Sequence, residues 1–201
     1  MKAVILDMPA HWLAERKRSG AERFDEMWEG VLHLSPSPNR IHQNLVGDLR
    51  DFLNRFWAKP NGGEVIHEIN VVHPDDKADW INNYRIPDIV LLSHDRLALE
   101  NDAFILGAPL ICIEVRSPKD ESFEKLRFYA KLGVPEVWII DRDTKKPEVF
   151  VLADGEYVLA EPNAGGWIES ATIVAELKAT PSKKLAIRLN RDDATRAEIP
   201  E

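Results

Sequence analysis

Three charged residues stand where an apolar core is expected. Asp88 follows Pro87 in RIPDIVLLS, Arg85 to Ser93, and Glu114 ends the apolar run of LICIEVRSP, Leu110 to Pro118. An ionised carboxylate in a buried strand is costly unless compensated, so each acid implies an exposed strand end or a waiting cation. With a two-residue period, Asp88 shares a face with Ile86 and Val90, and Glu114 with Cys112 and Leu110. On adjacent strands the two carboxylates would lie side by side and repel, unless one is protonated or a metal neutralises them. Two carboxylates, a main-chain carbonyl and waters are a donor set that suits Mg²⁺ or Mn²⁺.

The third charge is Lys125, in FEKLRFYAKL. At about 100° per residue, Glu124, Arg127 and Lys131 share one polar sector, and Lys125 falls in the apolar arc between Leu132 and Tyr129. Either it snorkels along apolar surface or it reaches the carboxylate pair. The second arrangement has a chemistry. A metal neutralises a phosphodiester and makes the attacking water more acidic, and an ammonium beside it positions that water or stabilises charge on the phosphorus. The expected reaction is metal-dependent phosphodiester hydrolysis, with Asp88, Glu114 and the carbonyl of Val115 holding the metal and Lys125 assisting the water. The structural alternatives are Asp88 as a loop cap and Glu114 in an ion pair with Arg116 or Lys125.

The elements that would position these groups follow from pattern. Pro9 to Arg18 is expected as a short helix, and Phe24 to Leu34 as a strand ending at Ser35-Pro36-Ser37-Pro38. Within that strand Glu26 shares a face with Phe24 and Trp28, and is preferred to Glu29 as a site residue. Asn39 to Trp57 is an amphipathic helix with the stripe Ile41, Leu45, Leu49, Phe52, Leu53 and Phe56. A strand is expected near Glu64 to His73, and the IVLL and LICI strands, apolar on both faces, belong at a sheet centre. Asp120 to Leu132 is expected as a helix closed by Gly133, and Tyr129 and Trp138 are expected to pack helix against sheet. Pro135 to Asp141 is a further strand, and Pro147 to Leu152 with Glu156 to Leu159 a hairpin around Asp154-Gly155. No element is assigned to Asp75 to Tyr84 or to Ala160 to Lys184. The fold class expected is α/β, a mixed sheet flanked by helices, as one domain over residues 1–190 with a frayed tail at 191–201.

Bulk properties narrow the function. No stretch approaches the roughly 18 apolar residues of a membrane span, and MKAVILDMPAHW is too briefly apolar for a signal peptide. A lone cysteine, Cys112, rules out a disulfide framework and fits a reducing cytoplasm. The net charge of −8 argues against coating nucleic acid by charge alone. From Arg116 to Lys146, however, 8 Lys and Arg face 6 Asp and Glu, a local +2 in an otherwise acidic chain. His11, His33, His67, His73 and His94 lack zinc-ligand spacing, and Gly-rich phosphate loops and G-x-S-x-G elbows are missing.

The order PD, then E-x-basic at a strand end, resembles the PD-(D/E)XK nuclease superfamily, and in more detail the Uma-two family of restriction endonuclease-like proteins. EMWEGVLHLSPSPNRIHQNLVGDL, Glu26 to Leu49, is similar to that family's acidic entry strand, turn and histidine-bearing helix. RIPDIVLL supplies the PD, and IEVRSP with EKLRFYAKLGVPEVWIID, Glu124 to Asp141, resembles its most specific block, so the likeness spans roughly residues 20–145. The resemblance implies a restriction-endonuclease-like core, Mg²⁺ or Mn²⁺ on Asp88 and Glu114, and a catalytic lysine displaced onto the following helix at Lys125. It also implies Glu26 at the early acidic position, His42 near the site, and nucleic acid, DNA above all, as substrate. By analogy a homodimer would cut both strands. Two departures stand: Arg116 holds the third position of E-x-K and is an alternative cation, and Glu121 stands where Asp is expected. The rival readings are a nuclease-like module that binds without cutting and a hydrolase of small phosphoesters.

Overall fold

A computed structural model gives the structure of residues 10–200. The chain opens with α1 (Ala10–Ser19), a hairpin of β1 (Glu26–Trp28) and β2 (Val31–His33), and α2 (Arg40–Leu53). The end of α2 widens into a π turn at Asn54–Ala58 before the short α3 (Lys59–Asn61). Then come β3 (Glu64–His67), β4 (Asn70–Val72), a 3-10 segment at Pro74–Asn82, β5 (Tyr84–Arg85), β6 (Ile89–Leu92), β7 (Phe104–Leu106) and β8 (Ile111–Arg116). Helix α4 (Leu126–Leu132) leads to β9 (Glu136–Asp141), β10 (Pro147–Ala153) and β11 (Glu156–Leu159). The chain closes with β12 (Ile168–Ser170), β13 (Ala175–Ala179), β14 (Leu185–Leu189) and β15 (Ala197–Ile199).

Six strands form the main sheet in the order β11-β10-β9-β8-β6-β3. Its centre is the parallel pair β8 and β9, with α4 in the crossover that such a pair requires. Alternate residues of these strands feed two cores. On one face Ile89, Leu91, Ile111, Ile113 and Trp138 pack with Leu45, Leu49, Phe52 and Leu53 of α2, and with Leu177, Ile187 and Ile199 of the antiparallel sheet β12-β13-β14-β15. On the other face Val90, Cys112, Val137 and Ile139 pack with Phe128, Tyr129 and Leu132 of α4 and Val71 and Ile105 of the small sheet β5-β4-β7. The α/β class with helices flanking a mixed sheet is therefore what the chain forms, and the IVLL and LICI runs lie buried within the sheet, as strands apolar on both faces should.

Four boundaries differ from the sequence expectation. The strand expected over Phe24 to Leu34 is a hairpin, because Glu29 and Gly30 both take positive φ (52° and 83°), the two-residue turn that matches strand twist. The strand expected near Glu64 to His73 breaks at Glu68, also at positive φ (51°), and its second half joins another sheet. The helix expected from Asp120 begins at Leu126. Upstream, the Asp120 carboxylate accepts hydrogen bonds from the amides of Ser117 and Ser122, and this local capping outcompetes the helix. Where a frayed tail is expected, the described residues 191–200 include an edge strand: β15 pairs with β14, and Ile199 is 3% exposed in the core. The first helix begins at Ala10 as described, and Pro9 lies outside the described residues.

Candidate active site

Antiparallel pairing of β6 with β8 sets Ile89 opposite Ile113, so one residue further on Asp88 stands level with Glu114. The Asp88 carboxylate takes over where the ladder ends: Oδ2 accepts the Val115 amide at 2.6 Å, and Oδ1 lies 2.9 Å from Nε2 of His42. Val115 thus has its backbone at the same strand end. His42 is placed there by the start of α2, where the Asn39 side chain caps the helix by accepting the His42 amide at 3.0 Å. Burial works against protonation of the His42 ring, but the Asp88 carboxylate, with Glu68 behind it, outweighs burial and raises its pKa.

Glu114 is 3% exposed. Its Oε2 accepts from Lys125 Nζ at 2.9 Å and its Oε1 from the Tyr129 hydroxyl at 2.7 Å. Lys125 Nζ is also 2.7 Å from Oε1 of Glu26 and donates to the Ile86 carbonyl at 3.2 Å. Glu26 arrives on β1, and its second oxygen accepts the Trp28 indole N–H at 2.6 Å. One ammonium therefore bridges two buried glutamates. Burial pushes Glu114 up to about 8 despite Lys125, with Asp88 and Glu26 adding to the rise. The same burial opposes charge on Lys125, yet Glu114 and Glu26 together hold its pKa above the ordinary value.

The five residues singled out from sequence, Glu26, His42, Asp88, Glu114 and Lys125, thus meet at one sheet end. Arg116 does not join them: it donates to Asp141 Oδ2 at 2.6 Å, beside the ring of Phe123. The expectation that Tyr129 only packs helix against sheet is incomplete, since it donates to Glu114. Its sequence signal was its spacing of four from Lys125, which puts both on one helix face. Trp28 shared the face of Glu26 by period 2. A pair of His33 Nδ1 with Glu121 Oε2 at 2.6 Å, its imidazole stacked on Trp28 at 3.9 Å between centroids, had no local signal because 88 residues separate the partners.

The donor set fits a divalent ion. Each oxygen of Asp88 and Glu114 accepts from one partner, which leaves a second acceptor direction on each. Three carboxylates, with Glu26, outnumber the one lysine. No group of three or more His, Cys, Asp or Glu side chains converges for a metal among the described residues, so an ion here would complete its shell with backbone and water.

Residues 13–182 match the model of the Uma2 family, described as "Putative restriction endonuclease". The chain belongs to the Uma2 family. The match is wider than the span expected from sequence and contains all five site residues, whereas β15 lies beyond it. The crystal structure of "a putative nuclease belonging to DUF820" from Anabaena variabilis aligns at a TM-score of 0.56 with 20% identity, over 79% of this chain and 82% of that one. At that identity the likeness concerns the fold. No curated protein matches the chain. No helix among the described residues of this Uma2 chain is long and apolar enough to cross a membrane.

Proposed function

We propose that this chain is a Mg²⁺- or Mn²⁺-dependent endonuclease that hydrolyses phosphodiester bonds in nucleic acid, DNA in particular. The observation that carries the reading is the meeting of Asp88 and Glu114 at one strand end with Lys125 2.9 Å from Glu114. In a family described as "Putative restriction endonuclease", that is the arrangement the chemistry calls for. Asp88, Glu114 and the Val115 carbonyl would hold the ion. Bound there, it supplies charge neutralisation and a more acidic water. Lys125 orients that water and stabilises charge on the phosphate, Glu26 holds the ammonium in place, and His42 fixes the Asp88 carboxylate. Cutting both strands of a duplex calls for two such sites, so a homodimer belongs to the proposal.

The test is calorimetric titration of Mn²⁺ into wild type, Asp88→Asn and Glu114→Gln, followed by plasmid cleavage with these proteins and Lys125→Ala. Binding lost in both acid variants and cleavage lost in all three is the expected result. A wild type that binds no Mn²⁺ would overturn the enzyme reading. The second reading, a nuclease-like module that binds without cutting, draws on the net charge of −8; a wild type that binds no Mn²⁺ would select it, whereas Mn²⁺ binding without plasmid cleavage would keep the site and point to another phosphoester.

A further inference from the structure

Helix α4 grips both oxygens of one buried acid. Lys125, at its start, takes Oε2 of Glu114, and Tyr129, one turn on, takes Oε1 at 2.7 Å. The Tyr129 amide bonds the Lys125 carbonyl at 3.1 Å, so the two side chains leave the helix stacked one above the other. We infer that Tyr129 is a positioning residue, whose hydroxyl fixes the Glu114 carboxylate in the orientation that receives the metal. The inference rests on the nuclease reading above.

Two observations support a role beyond packing. Tyr129 is fully buried among Cys112, Phe128 and Val137, where a phenylalanine would fill the space without bringing an oxygen into the core. The last torsion of a glutamate is broad and two-fold, and donors on both oxygens stop its rotation. Without the Tyr129 hydroxyl Glu114 is freer to turn. Tyr157 provides the contrast. It packs against the same core, but its hydroxyl donates at 2.8 Å to the Val134 backbone carbonyl and reaches no acid.

The experiment compares wild type, Tyr129→Phe and Tyr157→Phe, each variant losing one hydrogen-bonded hydroxyl and keeping its ring. Mn²⁺ affinity is measured by calorimetry at one fixed pH, Tm on the metal-free proteins, and kcat and KM on plasmid. Both variants are expected to melt lower, but only Tyr129→Phe to bind Mn²⁺ more weakly, by about 10–100-fold, as removal of partners behind metal ligands generally does. Its loss should fall on kcat more than on KM. Unchanged Mn²⁺ affinity in Tyr129→Phe, beside a wild type that binds, overturns the inference and leaves the nuclease reading intact. An equal loss in Tyr157→Phe overturns it too, as a general effect of loosening. A wild type that binds no Mn²⁺ removes the nuclease reading and the inference with it.

Discussion

At the scale of single residues, Glu114 carries the sharpest consequences. Its ordinary value is 4.5 and burial lifts it to about 8 in the folded chain. Between those pH values the folded protein keeps a proton that the unfolded chain has released, so stability falls as pH rises. The contribution is full below about 4.5 and lost by about 8. Melting curves of the metal-free protein across that window should slope downward more in wild type than in Glu114→Gln; parallel slopes would contradict the assignment. Metal binding has the opposite sense, because the ion takes the deprotonated carboxylate, and Mn²⁺ affinity should climb with pH over the same window. Lys125, the preferred cation in the sequence, and Arg116, its alternative, separate here. Lys125→Ala should cost about 10²–10³-fold in cleavage, the range for removing one preorganised charge. Arg116→Ala releases a partly exposed pair with Asp141 and a ring contact with Phe123, and should cleave within a few-fold of wild type in the same plasmid assay.

At the scale of elements, the site depends on how α4 and the β1-β2 hairpin are terminated. Gly133 ends α4 with φ 84°, a conformation that disfavours any side chain, although a methyl group would meet nothing within 4 Å. Gly133→Ala should therefore cost about 1 kcal/mol through backbone strain alone, or roughly 2–4 °C in Tm for a chain of this size. The hairpin brings Glu26 to Lys125, and several contacts hold it. Arg85 donates to the Met27 carbonyl at 3.2 Å, its guanidinium lying between the rings of Trp28 and Phe128. Gly30 donates to the Asn82 carbonyl at 2.8 Å, which gives the segment Pro74–Asn82 a task that its composition did not announce.

At the scale of the molecule, the second sheet closes the core that α2 shares with the main sheet. Ile199 lies on its last strand, 3% exposed, among Leu185, Ile187 and Leu177. Ile199→Ala should cost about 2–5 kcal/mol, as large-to-small changes in cores do, read as a lower urea midpoint. A change below about 0.5 kcal/mol, usual for surface positions, would restore the view of this segment as a frayed tail. Because the last strand packs against elements from the chain's first third, the C-terminal region contributes to the stability of the whole.

The sequence by itself determined the α/β class and the central strands, because strands buried on both faces must be apolar throughout, as IVLL and LICI are. It also determined the candidate residues, because Asp88, Glu114 and Lys125 break local apolar patterns that are visible without neighbours. The Uma2 resemblance added Glu26 and His42. The tertiary structure decided what depends on partners far apart in the chain. It brought Lys125 rather than Arg116 to Glu114, turned Tyr129 from a packing residue into a donor, and joined His33 to Glu121 across 88 residues. It also made a strand of residues 197–199, whose pattern is too short to reveal a face and whose stability comes from the β14 edge it covers. Period and propensity act over a few residues, whereas ion pairing, burial and edge pairing are settled only when the chain folds back on itself.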